Sequence, residues 1–168
     1  MNPVAKLSEL LESLYMSLDS DRNLYFDRQT GQTVGVEKSI LSAVEEGDAD
    51  RLEYVPEWQK PEIEIAKAIL EDRSGRFIDP PDPIEFNEYR HMQDFIETIH
   101  DSGIAGQLSR SIRGSGAFRR FKNTLMRLRL EKRWYQYRDQ AMKEFAIEWA
   151  EENDVRYEDD LKGRGKDR

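Results

Sequence analysis

The residues best equipped for chemistry are Gly114-Ser115-Gly116-Ala117-Phe118-Arg119-Arg120-Phe121-Lys122 and the basic run that follows them. Two glycines just before a helix start free the backbone, so the first amide groups can face an anion at the positive end of the helix dipole. Arg113 and Arg119 are placed to close over such an anion, and Arg120, Lys122, Arg127, Arg129 and Arg133 continue the positive charge. Trp134 and Tyr135 come next and are candidates for stacking on an exposed base if they are not buried. The expected site is therefore an anion or nucleic-acid site made of Arg113, Gly114, Gly116, Arg119, Arg120, Lys122, Arg127, Arg129 and Arg133. The competing expectation is a hinge whose glycines let two helices pack closely, with arginines that only solvate the outside.

Other chemistry has little to work with. His91 and His100 are nine residues apart. On one helix that is about two and a half turns, so they point to opposite sides and cannot share a metal. The chain has no cysteine, which removes disulfides, thiolate nucleophiles and sulfur-ligated metals together. No zinc-protease, phosphate-loop, dinucleotide or nucleophile-elbow motif occurs. The acids Glu45-Glu46, Glu151-Glu152 and Asp159-Asp160 read as helix ends and tail, and Asp79 and Asp82 on a stiff loop would need outside ligands to hold a cation. No catalytic residue, metal or cofactor is expected, and the balance leans away from an enzyme.

The charge is segregated along the chain. Residues 105–138 carry ten basic side chains against the single acid Glu131, a local charge of +9, while the remaining 16 basic and 33 acidic residues sum to −17. Such polarity creates a field as well as a net charge. Three functions fit it. The leading one is a non-enzymatic binding protein whose segment 110–138 engages an anionic partner, with RNA or DNA backbone foremost. The second is a protein–protein module, a homo-oligomer in which acidic and basic surfaces pair between subunits. The third is an enzyme acting on a phosphorylated small molecule held at Gly114–Gly116.

The elements that must position this segment follow from periodicity. Asn2-Pro3 caps a first helix with Leu7, Leu10, Leu11, Leu14 and Leu18 on one face, ending in the turn Asp19 to Arg22. The period then changes: Leu24-Tyr25-Phe26 and Thr33-Val34-Gly35-Val36 flank a Gly31 turn, a β-hairpin. A short helix over 39–46 stops at Gly47, and Leu52 to Val55 reads as a third strand. Pro61 opens a helix carrying Ile63, Ala66, Ile69 and Leu70, with Trp58 stapling its entry, and this helix runs to Ser74-Gly75. Asp79-Pro80-Pro81-Asp82-Pro83 is the rigid connector, and everything after it reads as helical. The stripes are Tyr89, Met92, Phe95, Ile96 and Ile99 over 84–101, closed by Asp101-Ser102-Gly103; then Ile104, Leu108 and Ile112; then Phe118, Phe121, Leu125 and Leu128; then Trp134, Tyr137, Ala141, Phe145 and Trp149. The fold class is α+β, a small antiparallel N-terminal sheet covered by helices with a helical C-terminal half. One domain is expected over 1–157, with a subdomain boundary at 79–83 and a disordered polar tail over 158–168. No window approaches the apolar length of a membrane span, and no membrane association is expected.

The wording also resembles a bacterial family known only as uncharacterised protein family 0158. The resemblance rests on the hairpin turn at Thr30-Gly31, on Met92-Gln93-Asp94-Phe95-Ile96, on Gly114 to Lys122 and on Arg133-Trp134-Tyr135, and it covers roughly residues 22–155. The G-x-G-A-F-R-R-F run is its specific part. In that family the middle position of the glycine run is often basic, whereas here it is Ser115. The resemblance implies a cytoplasmic bacterial protein and no mechanism.

Overall fold

The computed structural model describes residues 3–16 and 21–161. The chain is α+β and divides into two compact units. Met1–Asp82 with Ala146–Arg168 make the first, and Pro83–Phe145 make the second.

In the first unit β1 (Ala5–Lys6) leads directly into α1 (Leu7–Met16), whose Leu7, Leu10 and Leu14 are buried. Leu18, the Asn2 cap and residues 19–20 of the following turn lie outside the described residues. The hairpin is β2 (Arg22–Asp27) and β3 (Gln32–Glu37), antiparallel, with Arg22 opposite Glu37 and Asp27 opposite Gln32. Gly31 turns it at φ 74°, which favours glycine, and a Cβ there would meet Pro3 and Val4 at 3.3 Å, so a side chain would also have to push them back slightly. Next come α2 (Lys38–Glu46), ended by Gly47 in the left-handed region, and α3 (Ala49–Glu53).

The third strand is therefore not Leu52–Val55. Asp48 caps a helix there, accepting from the Arg51 amide at 3.1 Å, so the short apolar run takes helical rather than extended form. The third strand is β4 (Phe77–Ile78), which pairs antiparallel with Phe26 and Asp27 and gives the order β3-β2-β4. Between them α4 (Pro61–Glu71) packs Ala66 against Val36 and Ile40. It ends at Glu71, earlier than Ser74-Gly75, because the Asp72 side chain takes up the Ser74 and Phe77 amides. Those amides, Phe77 foremost, pull the Asp72 carboxyl down to about 2. Trp58 does not staple α4. It is 77% exposed, and the neighbouring Gln59 is the buried residue.

Asp27, at the end of the central strand β2, ties down the edge strand β4. Its buried carboxylate accepts two hydrogen bonds from Arg76, each 2.9 Å, and one from the Gln29 amide at 2.9 Å. Burial opposes its ionisation, but these donors outweigh burial and hold the carboxyl below its ordinary value. A carboxylate depressed on folding contributes stability above its unfolded pKa, and that contribution is lost as pH falls through the folded value. Asp27→Asn is expected to lower stability at pH 7 by about 1–3 kcal/mol. It should also flatten the acid limb below about pH 4, as urea midpoints measured from pH 7 to pH 3 would report.

The C-terminal segment returns to this unit. Ala146, Trp149 and Ala150 join Leu7, Leu10 and Phe26 in one core, with Trp149 edge-on to Phe26 at 5.2 Å and donating to the Asp79 carbonyl at 3.1 Å. Residues 158–161 do not form the start of a free tail. β5 (Tyr157–Glu158) pairs in parallel with β1, and the Asp160 carboxylate accepts from the Ser8 amide at 2.9 Å and from its hydroxyl. The rest of the expected tail, 162–168, lies outside the described residues.

The second unit is helical. The single helix expected over 84–101 is broken at Asn87, whose φ of 54° separates α5 (Pro83–Phe86) from α6 (Glu88–Glu97) and whose side chain caps α6 by accepting from Arg90. Asp101 does not close that helix. It opens α7 (Ser102–Ser111), accepting from the Gly103 and Ile104 amides at 2.9 and 3.1 Å. Then follow α8 (Ala117–Leu128) and α9 (Glu131–Glu152), whose residues to Phe145 belong here. The core gathers Met92, Phe95, Leu108, Phe121, Leu125 and Trp134. Trp134 meets Phe95 at 5.3 Å and Phe121 at 5.0 Å, both edge-on.

Candidate functional site

The basic segment occupies the end of α7, the loop 112–116, α8 and the start of α9. Gly114 and Gly116 stand at φ 75° and 78°, so the loop does need glycine at both places. Among the described residues, Arg120 is the side chain that closes over that loop. Its Nε donates to the Ser111 carbonyl at 3.0 Å, and its two terminal nitrogens donate to the Ser115 and Arg113 carbonyls. A Cβ at Gly116 would sit 3.2 Å from the Arg120 guanidinium. Arg120 thus satisfies carbonyls left over at the end of α7 and in the loop, and three of its five N–H donors are committed to them.

The outward face of α8 is set by which residues turn inward. Ala117, Phe121, Thr124 and Leu125 are buried, and α8 packs against α7. This displaces Phe118 from the core side that its spacing with Phe121 suggested. Phe118 is 55% exposed. At about 100° per residue, Phe118, Arg119, Lys122, Met126 and Arg129 share one side of the helix. All five are exposed.

Arg129 ends α8 at φ 58°, where a helix terminus favours glycine, and Leu130 closes the cap by donating to the Leu125 carbonyl at 2.9 Å. Among the described residues Arg110, Arg113, Arg119, Lys122, Arg129 and Lys132 form no ion pair. Arg127 donates to Gln107 at 2.9 Å, and Arg133 reaches the Thr98 carbonyl at 3.5 Å; both remain exposed. Of the acids in the same unit, Glu88 stands beside Arg138, while burial first, then Asp94, Glu144 and Glu97, raise the pKa of the Tyr137 hydroxyl.

Beside this face lies a pocket of about 190 Å³ between α6, α8 and α9. Phe118, Phe121, Trp134 and Tyr135 line it, with Lys122 and Arg138 as its cations. Trp134 is only 4% exposed, so of the two expected stacking residues only Tyr135 is half open to solvent. The Arg138 guanidinium lies 4.9 Å over the Tyr135 ring. No spacing rule pointed to Arg138 or Phe118 as pocket residues. The signal in the sequence, an arginine three positions after a tyrosine on a helix, is too common to single them out.

The sequence pattern of the uncharacterised protein family UPF0158 matches residues 1–166. The chain belongs to that family. A UPF0158 protein of Pseudomonas aeruginosa is 31% identical over 65 residues, which cover 38% of this chain and 42% of that relative. The chain thus aligns with less than half the length of that UPF0158 relative. No solved structure matches the chain. Among the described residues no helix is long and apolar enough to cross a membrane, and no three His, Asp or Glu side chains come together to hold a metal.

Proposed function

We propose that this protein binds nucleic acid without transforming it, through the outer face of α8 and its flanks. One observation carries the reading: the exposed cations Arg113, Arg119, Lys122 and Arg129 have no carboxylate partner among the described residues, in a chain of net charge −8. A cluster of unneutralised guanidinium and ammonium groups is self-repelling, and a polyanion relieves that repulsion while releasing its own counterions. Arg129 adds to the argument. An L side chain in the left-handed region costs about 1–2 kcal/mol against glycine, and here the position holds an arginine. Gly114 and Gly116 serve to shape the loop that Arg120 closes; the contacts to phosphate come from side chains, Arg113 in the loop and Arg119, Lys122 and Arg129 along α8, and not from the loop's amides.

The test is a salt titration of binding to a labelled generic oligonucleotide. Four phosphate contacts should give a slope of log K against log salt of roughly −3. Absence of binding at low salt overturns the reading. If the protein instead forms an oligomer that dissociates in high salt and ignores nucleic acid, the basic face pairs with acidic surface on a second copy.

A further inference from the structure

The pocket beside α8 suggests what the protein recognises beyond phosphate, and the inference rests on the binding reading above. We infer that the pocket lined by Phe118, Tyr135 and Trp134 receives one unstacked base of a single-stranded nucleic acid while Arg119, Lys122 and Arg129 follow the strand's backbone. Four features favour that occupant.

The first is size. The pocket holds about 190 Å³. Sites for whole small molecules or cofactors occupy roughly 300–1,000 Å³, so this one suits a single ring system whose remainder stays outside. The second is chemistry. Phe118 lies at the edge of the buried stripe of α8 and is 55% exposed, which leaves an aromatic face at the pocket without a partner of its own. Aromatic side chains beside cations are how sequence-tolerant binders hold single strands, because every base offers a π face.

The third is Arg138. Its guanidinium makes no hydrogen bond among the described residues: Glu88 is 3.5 Å away, Asp139 is 3.9 Å away, and its Nε is buried without an acceptor. Stacked on Tyr135 and partly neutralised by Glu88, it is suited to a base edge rather than to a phosphate. The fourth is continuity. Lys122 lines the pocket and also belongs to the outward face with Arg119 and Arg129, so a strand whose base enters the pocket has its phosphates beside cations. A base paired in a duplex is stacked on both faces and cannot enter. The protein should therefore prefer single strands.

The experiment measures fluorescence anisotropy at low salt with three labelled probes of equal phosphate number: a single-stranded DNA, the same strand built from abasic residues, and a duplex. The 168-residue chain is compared with Phe118→Ala and Tyr135→Leu. Phe118 is exposed enough that its loss should leave the fold intact, and leucine keeps the apolar bulk of Tyr135. The expected result is that the base-bearing strand binds about fivefold or more tighter than the abasic strand, and that both variants erase this difference while keeping abasic and duplex binding. Equal binding of base-bearing and abasic strands overturns the pocket inference and leaves the basic face as a backbone binder. A preference that survives in both variants also overturns it. Failure to bind any probe overturns the inference and the binding reading together.

Discussion

Replacing Arg119 and Lys122 together with glutamate is expected to lower nucleic-acid affinity by on the order of 100-fold at about 50 mM salt. Each phosphate contact contributes through counterion release, about tenfold at that ionic strength, and the new carboxylates add repulsion. The slope of log K against log salt should become shallower by roughly 1.4 for a single strand. Stability should stay within about 0.5 kcal/mol of the parent, since both side chains are exposed and neither has an ion-pair partner among the described residues. Arg120→Ala should behave in the opposite way. It removes the donors to the Ser111, Arg113 and Ser115 carbonyls, and is expected to cost about 1–2 kcal/mol in urea unfolding with little change in salt slope. Two neighbouring arginines would then separate binding from folding, and a charge-reversed protein that still binds with the parental slope would contradict the assignment of the outer face.

That separation is invisible in the sequence, where Arg119 and Arg120 are adjacent and equivalent. Periodicity places both on the outer half of the helix, and only the path of the loop 112–116 brings three carbonyls within reach of one of them. Phe118 illustrates the same limit. Hydrophobic spacing identifies Phe121 and Leu125 as buried, but the buried stripe also takes in the small residues Ala117 and Thr124, which carry little hydrophobic signal.

Local patterns did establish the hairpin, because the change from helical to alternating period and the Gly31 turn agree over both strands. The third strand was not legible for the converse reason. Phe77 and Ile78 are extended through pairing with residues fifty positions earlier, held by Arg76 on Asp27, while Leu52–Val55 has strand-like residues but a helix cap before it. The pairing of Tyr157–Glu158 with Ala5–Lys6 is equally non-local, and polar composition there concealed it. The pocket is the extreme case: its residues come from three helices, and no spacing within one of them reports the arrangement.

Trp134→Ala is expected to be the most destabilising of these changes, at about 3–5 kcal/mol, a large share of the roughly 5–15 kcal/mol that holds a domain folded. The indole is 4% exposed and meets Phe95 and Phe121 edge-on, so truncation leaves a cavity at the junction of α6, α8 and α9. The chain carries its own control. Trp58 is 77% exposed, and Trp58→Ala should change the urea midpoint by no more than about 0.5 kcal/mol equivalent. Trp134 also lines the pocket, which ties recognition to the core: the wall that would meet a base is the same ring that Phe95 and Phe121 fix in place. Trp134→Phe separates the two roles. It retains an aromatic wall and most of the buried area, and should recover more than half of the stability lost in Trp134→Ala, with the preference for base-bearing over abasic strands kept. A phenylalanine variant that folds well but loses that preference would assign the indole itself to recognition, whereas one that keeps it assigns Trp134 to the core and leaves recognition to Phe118 and Tyr135.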